Sequence, residues 1–439
     1  MVAADPAGYR PMAPPDSDPI TLKTQCAVYG IGMFSTTMFF MGAVVLPLWV
    51  ISLDPSPLMV GVVLGARQFL PLFFSIHAGA LIDRIGPRKV MLFFAVLGVI
   101  IPLLYPVMPW LAAALVLQLF AGLSDSVGWL GAQTMVGKLL KGRTRYAGRL
   151  SVIIRFGHLS GPPLIGAVWD FGGPWAAFIL MSLWGMGTVV CALMLPAHIV
   201  DSGKTAQGED ETPARSGGAW KELLPRPSDY LAAMRLLAVP VIATGAVVGM
   251  VVHLGNSLQA TFYVVYLNEI GISGTATGIL FSAFAVCAGG GSMMAAWLTR
   301  FVPPLWLLIM TVLFTSGMIA VTPLLGTFVA LFVVISLRGI TNGIHQPLII
   351  TTILRGTDVA NQGKAMGLRS TCNRIAAVLS PLLMGAIGEV FGIEFGFYVI
   401  GALVMVILAG LSLYIIRRPE TWGERRGQGA DRTGPPGAT

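Results

Sequence analysis

Twelve apolar runs, each long enough to cross a bilayer, constrain this chain more than any other feature. They lie near 26–51, 58–82, 90–108, 110–137, 147–169 and 175–197, then 238–267, 275–298, 305–325, 327–353, 365–389 and 395–416. A span needs about 20 apolar residues to cover the hydrocarbon core, and its backbone polar groups have no water to pair with there. Helices satisfy them internally. Composition agrees, since 55% of the 439 residues are hydrophobic and 11% charged, against about 25% charged in a soluble domain. The formal net charge of +8 fits basic loops facing anionic lipid, so a bilayer and not nucleic acid is the expected partner. Cys26, Cys191, Cys287 and Cys372 all lie in apolar runs, without metal spacing or a disulfide framework, and read as packing residues. No metal or cofactor is expected.

Residues 1–25 are polar and proline-rich and read as a disordered tail. Residues 198–237 hold Glu209-Asp210-Glu211, Pro213, Pro225 and Pro227 and read as a linker between bundles at 26–197 and 238–416. A basic tail covers 417–439. Loop charge orients the chain. Arg84, Arg88, Lys89, Lys138, Lys141, Arg143, Arg145, Arg300, Arg355, Lys364, Arg417 and Arg418 share one side. Asp54, Asp170, Glu269, Glu389 and Glu394 mark the other. By the positive-inside rule both termini are expected in the cytoplasm, and a prokaryotic cytoplasmic (inner) membrane is the expected location.

An internal repeat decides the architecture. A shift of 219 lays residues 148–178 on 367–397 without a gap. Gly148 meets Gly367, Arg155 meets Arg374, Pro162 meets Pro381, Gly166 meets Gly385, Asp170 meets Glu389, and Gly173 meets Gly392. The expected fold is therefore all-α, with two pseudo-symmetric six-helix bundles.

The loop Gly79-Ala-Leu-Ile-Asp83-Arg84-Ile-Gly86-Pro-Arg88-Lys89 carries the pattern G-x-x-x-D-R-x-G-x-R-K between the second and third spans. It resembles the loop signature of major facilitator superfamily transporters. The resemblance implies that Gly79, Asp83, Arg84, Gly86, Arg88 and Lys89 form a cytoplasmic gate latch. In the fifth span, Gly148, Gly157, Gly161, Pro162 and Gly166 are similar to the G-x8-G-x3-G-P-x2-G-G signature of drug–proton antiporters, with Ala167 in place of the last Gly. That similarity implies export. Physically, Gly157 and Gly161 give a small-residue face for close helix packing, and Pro162 bends the helix.

Four arginines, Arg67, Arg155, Arg338 and Arg374, lie well inside spans, and Asp125 is the clearly intramembrane acid. A charge at the bilayer centre costs about 2.5–3.5 kcal/mol even on the lenient insertion scale. The excess of cations points to an anionic or zwitterionic solute, bound through Arg155, Arg338 and Arg374. Two polar stripes related by a shift of 220 lie each on one helix face: Gln118, Gly122, Asp125, and Arg338, Asn342, His345. His253, Asn256 and Ser257 form a third on the seventh span. Gln118, His253, Asn256, Asn342 and His345 complete the expected substrate-binding set, with Asp125 or His158 carrying the coupling proton.

The expectation is a monomeric, proton-coupled secondary transporter, not an enzyme, moving a small organic solute outward by alternating access. A multidrug/proton antiporter for hydrophobic cations is the rival within the class. A non-transporting membrane receptor or scaffold is the rival outside it. No nucleophile, metal or carboxylate set clusters at one depth, and no G-x4-G-K-[ST] loop for an ATP-driven pump is present.

Overall fold

The computed structural model describes residues 21–85, 87–139, 144–195, 240–355, 357 and 362–417. The described elements are helical: α1 (Leu22–Ile51), α2 (Pro57–Ile85), α3 (Pro87–Val107), α4 (Leu111–Leu139), α5 (Thr144–Met194), α6 (Pro240–Ala260), α7 (Phe262–Glu269), α8 (Gly274–Leu298), α9 (Pro304–Val321), α10 (Phe328–Arg355), α11 (Gln362–Phe391) and α12 (Ile393–Arg417). Ten of the described helices are long and apolar enough to cross a membrane. The linker at 198–237 and most of both tails lie outside the described residues.

Two departures from simple spans follow from local chemistry. The fifth and sixth spans run together as α5, which reverses at Gly173. There φ is +70°, a conformation open to glycine, and Pro174 starts the second arm. Gly392, its repeat mate, turns the chain between α11 and α12 at φ +88°. The seventh span is broken at Thr261 (φ −127°, ψ −87°), which separates α6 from α7.

Between the two halves, backbones approach most closely at the end of the helix set that carries Asp170 and Glu389. Helices with lipid on one side gain little from apolar burial, so close backbone approach has to hold them. Across the two halves, Gly166 sits on the Gly274 carbonyl and Gly278 on the Pro162 backbone. In the mirrored seam Gly61 sits on the Pro381 carbonyl, and Gly385 on the backbone of Pro57 and Leu58. An added Cβ at any of the four would collide with backbone. Within the first half, Gly157 and Gly161 pack against Met33, Thr37 and Met41 of α1.

Candidate functional site

Beneath that sealed end lies a cavity of about 250 Å³, walled by α1, α2, α4, α6, α8, α10 and α11. The break at Thr261 is part of its wall. Its polar lining is Arg67 and Gln68 from α2, Gln118 from α4, His253, Asn256, Ser257 and Gln259 from α6, Thr261 at the break, and Asn342 from α10. Phe39, Phe40, Phe281 and Phe284 supply aromatic faces.

The stripe on α4 is a socket for one arginine. Arg67 donates from Nε (3.0 Å) and Nη2 (2.5 Å) to Asp125 Oδ2, and from Nη1 to Gln118 Oε1 at 3.4 Å. Gly122, between those two residues, lets the Arg67 backbone press against α4. Gly42 of α1 leaves room for the guanidinium, whose carbon lies 5.3 Å from the Phe39 ring centroid. Arg67–Asp125 is the one ion pair among the described residues. Arg67 lines the cavity, whereas Asp125 stands behind it and does not.

The expected binding residues divide. Gln118, His253, Asn256 and Asn342 all face the cavity, and Asn342 Nδ2 donates to Asn256 Oδ1 at 2.8 Å. Arg338 is 3% exposed behind the wall, its Nε without a hydrogen-bond partner. His345 is fully buried with neither ring nitrogen paired, beside a small void bordered by Thr315, Ser316 and Ile400. His158 lies tilted against Phe40, 4.1 Å between centroids and 41° between ring planes, one layer from the cavity, and its buried Nε2 has no partner.

Arg155 and Arg374 lie outside the cavity wall. Arg155 reaches across to α8, where Nη1 and Nη2 donate at 3.5 Å to the Ala285 carbonyl and Ser292 Oγ. Gly289 leaves the berth open. Its repeat mate Arg374 reaches across to α4 and donates to Ser126 Oγ, also at 3.5 Å. Both therefore bridge the halves, and neither lines the cavity.

At the sealed end the bridging is shorter. Asp170 Oδ1 accepts from the Gly274 N–H (2.8 Å), and Oδ2 from the N–H (2.7 Å) and Oγ1 (2.6 Å) of Thr275. Its carboxylate thus caps the first turn of α8. Glu389 Oε2 accepts from the Leu58 N–H at 3.0 Å, at the start of α2. The sequence aligned these two acids without showing what they touch. Nearby, burial and then the Glu394 charge push the Glu269 carboxyl above its usual range.

Of the loop motif, Gly79, Asp83, Arg84 and Gly86 lie outside the described side chains. Arg88 and Lys89 begin α3, and Arg88 Nη2 donates to the Leu193 carbonyl at 3.0 Å, at the C-terminal end of α5. The clearest omission of sequence reasoning is Arg67 as a wall residue. Gln68, Gln259 and Thr261 carried no sequence signal, since each is an ordinary polar residue in an apolar run.

A family model described as Major Facilitator Superfamily matches residues 28–254 and 245–436. Uncharacterised MFS-type transporters from two strains of Mycobacterium tuberculosis are 27% identical over 377 residues, covering 82% of this chain and 85% of each relative. Among solved structures, a point variant of the nucleoside transporter NupG superposes with a TM-score of 0.75 at 13% identity, over 89% of this chain and 99% of its own. A bacterial homologue of the human lysosomal transporter Spinster gives 0.68 at 14%, over 91% and 98%. A POT family transporter in complex with a thioalcohol-conjugated peptide gives 0.70 at 13%, over 90% and 96%. At such identities these structures establish a shared fold. The family match across both halves identifies the chain: it belongs to the Major Facilitator Superfamily, and it is a multi-pass membrane transporter and not an enzyme.

Proposed function

We propose that this transporter moves a small organic anion or zwitterion across the cytoplasmic membrane by alternating access, coupled to protons. The observation that carries the reading is the Arg67–Asp125 pair, with the arginine on the cavity wall and the acid behind it. A solute carboxylate reaching Arg67 competes with Asp125 for the same donors. Arg67's planar fork suits that exchange, because it binds carboxylates in two-point geometry. Once displaced, Asp125 is left with little water around it and takes a proton at Oδ2. Solute binding and proton uptake are then linked through one guanidinium. Gln118, His253, Asn256 and Asn342 hold the polar remainder of the solute, while the phenylalanines take its apolar or ring portion. Outward movement is the proposed direction, on the glycine pattern of the fifth span. The proposed orientation puts the sealed end outside, both termini in the cytoplasm, and a single chain as the working unit.

The rival reading, an antiporter of hydrophobic cations, draws support from the four phenylalanines. It needs an acid facing the cavity, and Asp125 is turned to Arg67 instead.

Proton flux in proteoliposomes carrying a trapped pH-sensitive dye tests the proposal, with panels of carboxylates, zwitterions and lipophilic cations. The expected response is to carboxylates or zwitterions, lost in both Arg67→Gln and Asp125→Asn. A response to cations alone, surviving Arg67→Gln, overturns it in favour of the rival.

A further inference from the structure

Two facing helix stripes lead from the cavity toward the basic end of the molecule. On α11 the steps are Ala377, Asn373 and Arg369, four residues apart, and Ala377 is already in the cavity wall. On α6 they are His253, in the same wall, and Gly249. Gly249 lets the two stripes approach: a Cβ there would lie in contact with Asn373 Oδ1 at 3.4 Å and with Arg369 Cγ at 3.8 Å. Beside Gly249 two polar atoms are buried without a hydrogen-bond partner, Arg369 Nη1 and Asn373 Oδ1, and Arg374, the next residue along α11, leaves its Nε unpaired as well. His253 feels the charge of both Arg374 and Arg369. Among the described residues no carboxylate pairs with either arginine.

Two like charges on adjacent turns, half out of water and with unused donors, need a negative partner that the described protein does not supply. Resting on the carboxylate reading above, we infer that Arg369, Asn373 and Arg374 form a second oxyanion subsite, where a solute carboxylate waits between the basic end and Arg67. Arg369 and Arg374 supply guanidinium N–H donors. Asn373 contributes its NH2 once its amide turns over, a rotation that leaves its shape unchanged. Arg374 also holds Ser126 of α4, so occupancy of the subsite loosens one bridge between the halves.

The test uses the purified full chain in detergent, with thermal unfolding read against benzoate, its neutral isostere benzamide, and inorganic phosphate. Benzoate is expected to raise the melting temperature and benzamide to leave it unchanged. Stabilisation by phosphate as strong as that by benzoate overturns the assignment to an organic carboxylate. The half-saturating benzoate concentration is expected to rise about tenfold in Arg369→Gln and in Arg374→Gln, the loss of one charged hydrogen bond at a partly wet site. Arg369→Lys, which keeps the charge, is expected to stay near the wild-type value and guards against a folding defect. Equal stabilisation by benzamide, no stabilisation of the wild type by benzoate, or unchanged affinity in both Gln variants overturns the subsite. Those outcomes leave the Arg67 proposal standing, because it is read from proton flux in Arg67→Gln and Asp125→Asn.

Discussion

Arg67 spends its donors on Asp125 and Gln118 and still faces the cavity. Its side chain and that of Asp125 are 11% and 18% exposed, so removal of either partner leaves a charge with little water to receive it. Asp125→Asn should therefore destabilise the folded protein by about 3 kcal/mol, at the lower end for a broken buried pair because some water reaches it. Arg67→Met combined with Asp125→Leu should recover most of that loss, since an apolar pair of similar volume removes both desolvation costs. The double variant should nevertheless show no solute-driven proton flux. Thermal unfolding and flux on the same preparations check this, and a double variant as unstable as Asp125→Asn sinks the argument. Periodicity made half of this site legible. It put Gln118, Gly122 and Asp125 on one helix face, but a helical period says nothing of which neighbour that face meets. Arg155 shows the converse: a buried-looking cation invited a solute role, whereas Gly289 on another helix gives it a berth.

The helix ends make their own arguments. Asp170 accepts three hydrogen bonds at the start of α8, and Glu389 accepts one at the start of α2. A carboxylate at a helix N-terminus contributes about 0.3–2 kcal/mol, and more donors bring it toward the upper value. Asp170→Asn should thus weaken the sealed end more than Glu389→Gln. Spin labels on the α1–α2 and α7–α8 loops would report it as a larger long-distance population in the first variant. Equal populations would show that the cap geometry does not set the seal. The same end carries Glu269, whose carboxyl is pushed up by burial and then by Glu394. An acid raised in the folded state costs stability above its folded pKa, and the cost disappears below its unfolded value. Glu269→Gln should then raise the melting temperature at pH 8 and leave it unchanged at pH 3; a gain at both values would mean packing, not charge. At this scale the repeat was informative. It paired Asp170 with Glu389 and Gly173 with Gly392, and both pairs hold equivalent places in the structure. Their contacts stayed hidden because each acid caps a helix of the opposite half, beyond any local pattern.

Across the whole molecule the bridges between the halves grade from short to long. They run from 2.6 to 3.0 Å at the acidic end, continue with Ser282 Oγ to the Leu159 carbonyl at 2.7 Å beside the cavity, and reach 3.5 Å at Arg155 and Arg374. Four glycine-on-backbone contacts reinforce the short end, and among the described residues no glycine of the basic end makes such a contact across the halves. Alternating access requires this seam to open while a second one forms, so the two states have to lie within a few kcal/mol of each other. Gly61 and Gly278 occupy matching places in the two acidic-end seams, so a wedge at either should act on the same equilibrium. Gly61→Leu and Gly278→Leu cannot close against the Pro381 and Pro162 backbones. Each should hold the loops apart in the spin-label measurement and abolish solute-driven proton flux. Stabilisation by benzoate should persist in both, since neither glycine touches Arg369, Asn373 or Arg374. Loss of binding together with flux would mean that the wedge had unfolded the site. Retained flux would mean that this seam is not the one that opens.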